Sequence, residues 1–118
     1  MEFFKLIHNN NSENNEKHLP IIKLQKNHID STKNIVKVIV GENLKHPNLV
    51  EHSIKWIELY IITKDHKIKY IGKQDFEPSC CSPEARFKIE NEILKEIDTI
   101  TAISYCNIHG LWINELKI

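Results

Sequence analysis

Along most of this chain, apolar residues recur at every second position. Val36, Val38 and Val40 share one face of residues 34–40, and Ala85, Phe87 and Ile89 alternate with Arg86, Lys88 and Glu90. Ile100, Ala102, Ser104 and Cys106 fall on one side of residues 99–106. A period of two with β-branched enrichment predicts strands. Residues 20–24 and 67–71, with Ile68 and Tyr70 on one face, predict two more, and residues 2–7 an edge strand. The longest candidate opens at His52 and runs to about Thr63. In it the apolar phase changes from Ile54 and Trp56 to Ile57, Leu59 and Ile61. That change predicts either a β-bulge or burial on both faces. Ile93, Leu94 and Ile97 have helical spacing over a stretch long enough for one turn.

The segments between are polar or broken. Residues 9–15 are rich in asparagine and predict an exposed loop, mobile enough to gate a neighbouring site. Gly41-Glu42-Asn43 predicts a turn. His46-Pro47-Asn48 predicts a loop, because proline disfavours helix at the residue before it. Residues 75–83 predict another. Six or seven short strands separated by turn signals predict an all-β fold, an antiparallel sandwich of about seven strands.

The chain has 118 residues, which predicts one domain over 1–118 with a single core. Sixteen basic residues balance sixteen acidic ones. That neutrality argues against a nucleic-acid partner, which calls for a basic excess. No stretch is long enough to span a bilayer, and no signal-peptide hydrophobic region follows Met1, so a cytoplasmic location is expected. Three cysteines make a poor disulfide framework. In a reducing compartment each is a ligand, a nucleophile or packing.

Cys106-Asn107-Ile108-His109-Gly110 places a thiol and an imidazole three residues apart, before a glycine that permits a sharp turn. Alone, this fits a buried cysteine beside a surface histidine as well as it fits a metal site. His46 and His52 flank Pro47 and the start of a strand, and His18 closes Glu16-Lys17-His18-Leu19-Pro20. Four imidazoles and a thiol at loop–strand junctions point to one ion. Structural zinc takes four donors. Five suit a larger coordination number with one open position, as redox iron uses. One thiolate among neutral histidines leaves a positively charged centre that attracts a small anion. His8, His28 and His66 lack this context and read as surface residues.

The ordered set Glu16-Lys17-His18-x-Pro20, His46-Pro47, Glu51-His52-x-Ile54-x-Trp56-Ile57 and Cys106-Asn107-x-His109-Gly110-Leu111-Trp112 resembles the signature of the superoxide reductases, the desulfoferrodoxin and neelaredoxin proteins. The resemblance spans the chain from Glu16 to Trp112. It implies an immunoglobulin-like β-sandwich holding one mononuclear iron, with His18, His46, His52 and His109 as equatorial ligands and Cys106 as the axial thiolate. The implied reaction is one-electron reduction of superoxide to hydrogen peroxide, with a rubredoxin-like protein returning the iron to the ferrous state. Glu16 would occupy the sixth position of the resting ferric site. Lys17, helped by Lys45, would attract superoxide and organise water for proton delivery.

No cysteine precedes Cys80, so the four-cysteine iron domain of some relatives is not expected, and the one-iron neelaredoxin type is. Relatives form dimers or tetramers, which makes a homo-oligomer the expectation. Cys80-Cys81 matches no part of the pattern and reads as a pair of loop cysteines, with a vicinal disulfide or a redox-sensitive pair as the alternative. Trp56 and Trp112 read as core or as walls of the iron pocket. Four rival readings remain: a non-catalytic electron-transfer module, a structural zinc domain, a cysteine hydrolase with Cys106 as nucleophile, and weak superoxide dismutation at the same site. The first has no use for Glu16-Lys17, and the hydrolase needs one histidine rather than four.

Overall fold

The structure is a computed structural model and describes residues 2–26 and 33–118. Seven strands form: β1 (Pro20–Lys26), β2 (Lys33–Val40), β3 (Ile54–Thr63), β4 (Ile68–Asp75), β5 (Glu84–Glu90), β6 (Ile97–Cys106) and β7 (Gly110–Lys117). Two one-turn helices accompany them, α1 (Asn15–His18) before β1 and α2 (Asn91–Leu94) between β5 and β6. The strands make a three-stranded sheet, β1-β2-β5, and a four-stranded sheet, β4-β3-β6-β7, antiparallel throughout. Three strands packed on four is the antiparallel sandwich that the strand pattern predicted, in the immunoglobulin-like layer arrangement that the resemblance implied. Among the described residues, no helix is long and apolar enough to cross a membrane.

The alternating residues become the core. Val36, Val38, Ala85 and Ile89 face Ile57, Leu59, Ile61, Ile100 and Ala102 in one buried cluster. The phase change in β3 is resolved in favour of a bulge. The β3–β6 register shifts between Ile54 and Trp56, so burial passes from Ile54 to Ile57, Leu59 and Ile61. Trp56 is thereby turned to the outer face, stacked on Tyr105 with rings 5.7 Å apart and with Lys73 above it. It is neither core nor pocket wall.

Three local expectations need correcting. Residues 2–7 are not an edge strand; Phe3–Leu6 is a 3-10 turn. Phe3, Phe4 and Leu6 do not alternate, and the Lys5 N–H bonds locally to the Glu2 carbonyl at 3.2 Å, so no face forms for a sheet to bury. β3 begins at Ile54, not His52; His52 instead closes a tight reciprocal pair of backbone bonds with Leu49. β4 runs on to Asp75, and its Ile68 and Tyr70 point to solvent.

The antiparallel register gathers one rim. Pro20 pairs with Val40, Ile54 with Cys106, and Cys106 with Gly110. The entry to β1, the exit of β2, the entry to β3 and the β6–β7 turn therefore lie at one end of the sandwich. Those four places carry His18, His46, His52, and Cys106 with His109.

Candidate metal centre

Each donor reaches the rim by its own local device. Gly41 adopts φ +77° at the exit of β2, which lets the chain fold back until the His46 backbone nitrogen lies 2.7 Å from where a Cβ would stand. Asn107 ties the β6–β7 turn to the entry of β3: its Oδ1 accepts from the Ser53 N–H at 3.0 Å, and its Nδ2 donates to the Glu51 carbonyl at 2.9 Å. His52 and the Cys106-x-x-His109 turn are thus held together by one side chain. Gly110, at φ +83°, takes the chain away into β7. The turn α1 delivers His18, whose ring stacks on Trp112 at 4.8 Å and 11°. Trp112 is a buried wall of the site, as expected.

The five side chains converge. The ligating atoms of His18, His46, His52, Cys106 and His109 all lie within 4.8 Å of one another. His18 Nε2 is 3.1 Å and His52 Nε2 3.3 Å from His109 Nδ1. Cys106 Sγ is 3.3 Å from His46 Nε2 and 3.6 Å from His109 Nδ1. Glu16 stands outside this group, exposed on α1, and Lys17 beside it is half-buried.

The donor set fits an ion. The Asn14 carbonyl accepts from His18 Nδ1 at 3.0 Å, and the Pro47 carbonyl from His46 Nδ1 at 2.7 Å. Both rings are therefore protonated at Nδ1, and each presents the lone pair of Nε2 inward, the carbonyl-oriented arrangement seen around metal-bound histidines. Burial pushes His46 down to about 4, outweighing the pull of the Pro47 carbonyl; His18, His52 and His109 add a smaller push in the same direction. His18 is also lowered, chiefly by burial, with His109, His52 and Lys17 contributing. Neutral, converging lone pairs repel one another until a cation sits among them. Metal–nitrogen bonds of about 2.1 Å put neighbouring donors about 3 Å apart, close to the separations observed. Cys106 is fully buried, and the His109 N–H donates to its Sγ at 3.4 Å, which fixes the sulfur at the rim.

A cavity of about 600 Å³ reaches the site from the side of α1, lined by His8, Ser12, Asn14, His18, His109 and Trp112 among others. A second, of about 390 Å³, touches His46 from the β2 side and includes Lys45. Cys80 and Cys81 are exposed free thiols outside the donor group.

Two kinds of residue at the site carry no signal in the sequence. Asn14 and Pro47 act through backbone carbonyls, which no side-chain motif reports. His8, expected at the surface, is half-buried and stacked on Trp112 at 4.6 Å and 28°. His66 is exposed, as expected, and His28 lies outside the described residues.

Fold and rim together define a class: an immunoglobulin-like sandwich whose end loops gather four histidines and one cysteine where they could hold a metal ion. Residues 10–115 match the family model described as Desulfoferrodoxin, and the chain belongs to that family. It is 39% identical over 107 residues to a superoxide reductase of Pyrococcus abyssi, covering 87% of this chain and 88% of the relative. It is 34% identical over 116 residues to the superoxide reductase of Pyrococcus furiosus, covering 87% and 89%. The solved superoxide reductase of Nanoarchaeum equitans superposes with a TM-score of 0.79 at 30% identity, over 95% of this chain and 99% of that one.

Proposed function

We propose that this chain is a superoxide reductase working as one domain, with one iron ion held by His18, His46, His52, His109 and Cys106. The observation that carries the reading is the convergence of those five donor atoms at one rim, in a chain of the desulfoferrodoxin family. Iron bound there supplies the one-electron couple by which superoxide, with one electron and two protons, becomes hydrogen peroxide.

The chain's own residues set the conditions. Burial keeps His18 and His46 neutral, so they stay available as donors. The carbonyls of Asn14 and Pro47 fix their rings. Cys106 brings the single negative charge of the set in a fully buried position, and a thiolate enriches the metal in electron density. Four neutral imidazoles leave the centre positive overall, suited to an anionic substrate. Lys17, one residue before His18, adds positive charge on the same turn. It draws superoxide in and orders water for proton delivery, with Lys45 contributing to the same field. Glu16, exposed on the same turn, would supply a carboxylate as a further ligand to the oxidised ion. A rubredoxin-like donor returns the electron, the protein acts in the cytoplasm, and it assembles as a dimer or tetramer.

Metal analysis with an absorption spectrum tests the reading. One iron per chain and a visible thiolate-to-iron band that bleaches on reduction are expected. Stoichiometric zinc without visible absorption would replace the reading with a structural zinc site.

A further inference from the structure

The segment carrying Glu16, Lys17 and His18 is not a free loop. Its two ends meet on one indole. At the near end, His8 is pinned to β7 by two backbone bonds: its N–H donates to the Leu111 carbonyl at 3.0 Å, and its carbonyl accepts from the Ile113 N–H at 2.9 Å. This parallel bridge sets His8 opposite Trp112, and the two rings stack with centroids 4.6 Å apart. At the far end, His18 stacks on the same indole at 4.8 Å. Between them the chain bonds to itself. Ser12 Oγ accepts from the Asn9 N–H at 3.0 Å, Ser12 N–H donates to the Asn9 carbonyl at 3.0 Å, and Asn15 Nδ2 donates to the Asn10 carbonyl at 2.6 Å. A compact loop whose ends lie close together is an Ω-like excursion, and here the closure is aromatic.

The indole has no other polar restraint. Trp112 is buried, and its Nε1 has no hydrogen-bond partner among the described residues. Packing alone therefore sets its orientation, the two stacked rings included, and it is the surface against which His18 is held. Stacked ring pairs contribute roughly 0.5–1.5 kcal/mol beyond the area they bury, enough to decide how well one turn of chain stays in place.

We propose that His8 is a positioning residue for His18: by stacking on Trp112 and bridging to β7, it closes the 9–17 loop and holds the His18 ring at the metal centre. Removing the ring would loosen the near end of the loop and let Trp112 tilt. His18 would then keep the Asn14 carbonyl at its ring and the Ser104 hydroxyl at its backbone carbonyl, but lose the fixed aromatic surface beneath the ring. Loss of the direct outer partner of a ligating histidine lowers metal affinity by about 10- to 100-fold, and loosening the loop that carries Asn14 weakens that partner of His18.

The proposal rests on His18 being a metal ligand, so the experiment separates the two. The full chain is loaded with cobalt(II), whose d–d bands report ligand geometry, and release to excess chelator is timed. His18→Ala tests the ligand. His8→Ala removes the ring, with His8→Leu in its place if that variant does not fold, and His8→Phe restores a stacking ring. The expected result is release about 10-fold faster or more for His8→Ala, with shifted cobalt bands and faster deuterium uptake confined to residues 9–17. His8→Phe should return all three towards the parent. Parental release and bands in His8→Ala, or equal acceleration in His8→Ala and His8→Phe, would overturn the proposal while leaving the metal centre intact. If His18→Ala leaves cobalt binding unchanged, the ligand assignment fails and the proposal falls with it.

Discussion

Cys106 Sγ and His46 Nε2 lie 3.3 Å apart although 60 residues separate them in the chain. The two arrive from different sheets: Cys106 ends β6 in the four-stranded layer, and His46 follows β2 in the three-stranded one. The centre therefore depends on the sandwich closing correctly and, on the His46 side, on one glycine.

That glycine gives a sharp prediction. Gly41→Ala meets both a left-handed backbone and a contact of 2.7 Å with the His46 backbone. It should cost about 2 kcal/mol or more and weaken metal binding at the same time. Gly110→Ala, at φ +83° but facing open space, should cost about 1 kcal/mol, the backbone contribution alone. Urea unfolding of metal-free protein and cobalt titration of each variant check the contrast.

Cys106→Ser keeps nearly the same volume in a fully buried position, so the fold should survive. The thiolate-to-iron band should vanish, and iron retention should fall by about 10-fold or more. A visible band that persists in the serine variant would remove Cys106 from the ligand set.

Metal-free protein should lose stability in acid over a defined window. Unfolded, His46 takes up a proton near pH 6.5; folded, burial holds it down to about 4. Between those values the unfolded chain binds more protons, so stability rises with pH across the window and falls as pH drops through it. His18, also lowered, adds to the slope. The melting temperature of chelator-treated protein should drop from pH 7 to pH 4.5, and His46→Phe should flatten the profile.

Lys17→Ala should slow superoxide capture by about 10-fold and make it less sensitive to salt, since a local charge acts chiefly on the encounter rate. Stopped-flow rates at several ionic strengths decide this. Glu16→Ala should alter the spectrum of the oxidised resting protein while leaving that of the reduced form unchanged.

Alternation made the sheets readable, because Val36, Val38 and Val40 or Ile100 and Ala102 can bury one face only as strands. It also exposed the bulge, as a change of phase between Ile54 and Ile57. The N-terminal segment was not readable in the same way. Phe3, Phe4 and Leu6 are apolar but have no period, and local bonding made a turn of them. The five donors were legible as an ordered set of residue types at loop–strand junctions. Their outer supports were not. Backbone carbonyls carry no sequence signature, and the place of His8 depends on a bridge to β7 that joins residues a hundred positions apart.

Reduction of superoxide at the five-donor centre has a stoichiometry that can be counted. The measurement that tests it most directly adds known amounts of superoxide to iron-loaded, fully reduced protein while recording the visible spectrum and the hydrogen peroxide and dioxygen formed. The thiolate-to-iron band should return in step with the superoxide added, with one hydrogen peroxide for each superoxide consumed and no dioxygen. A band that stays bleached, or one hydrogen peroxide for every two superoxides with dioxygen released, would contradict it.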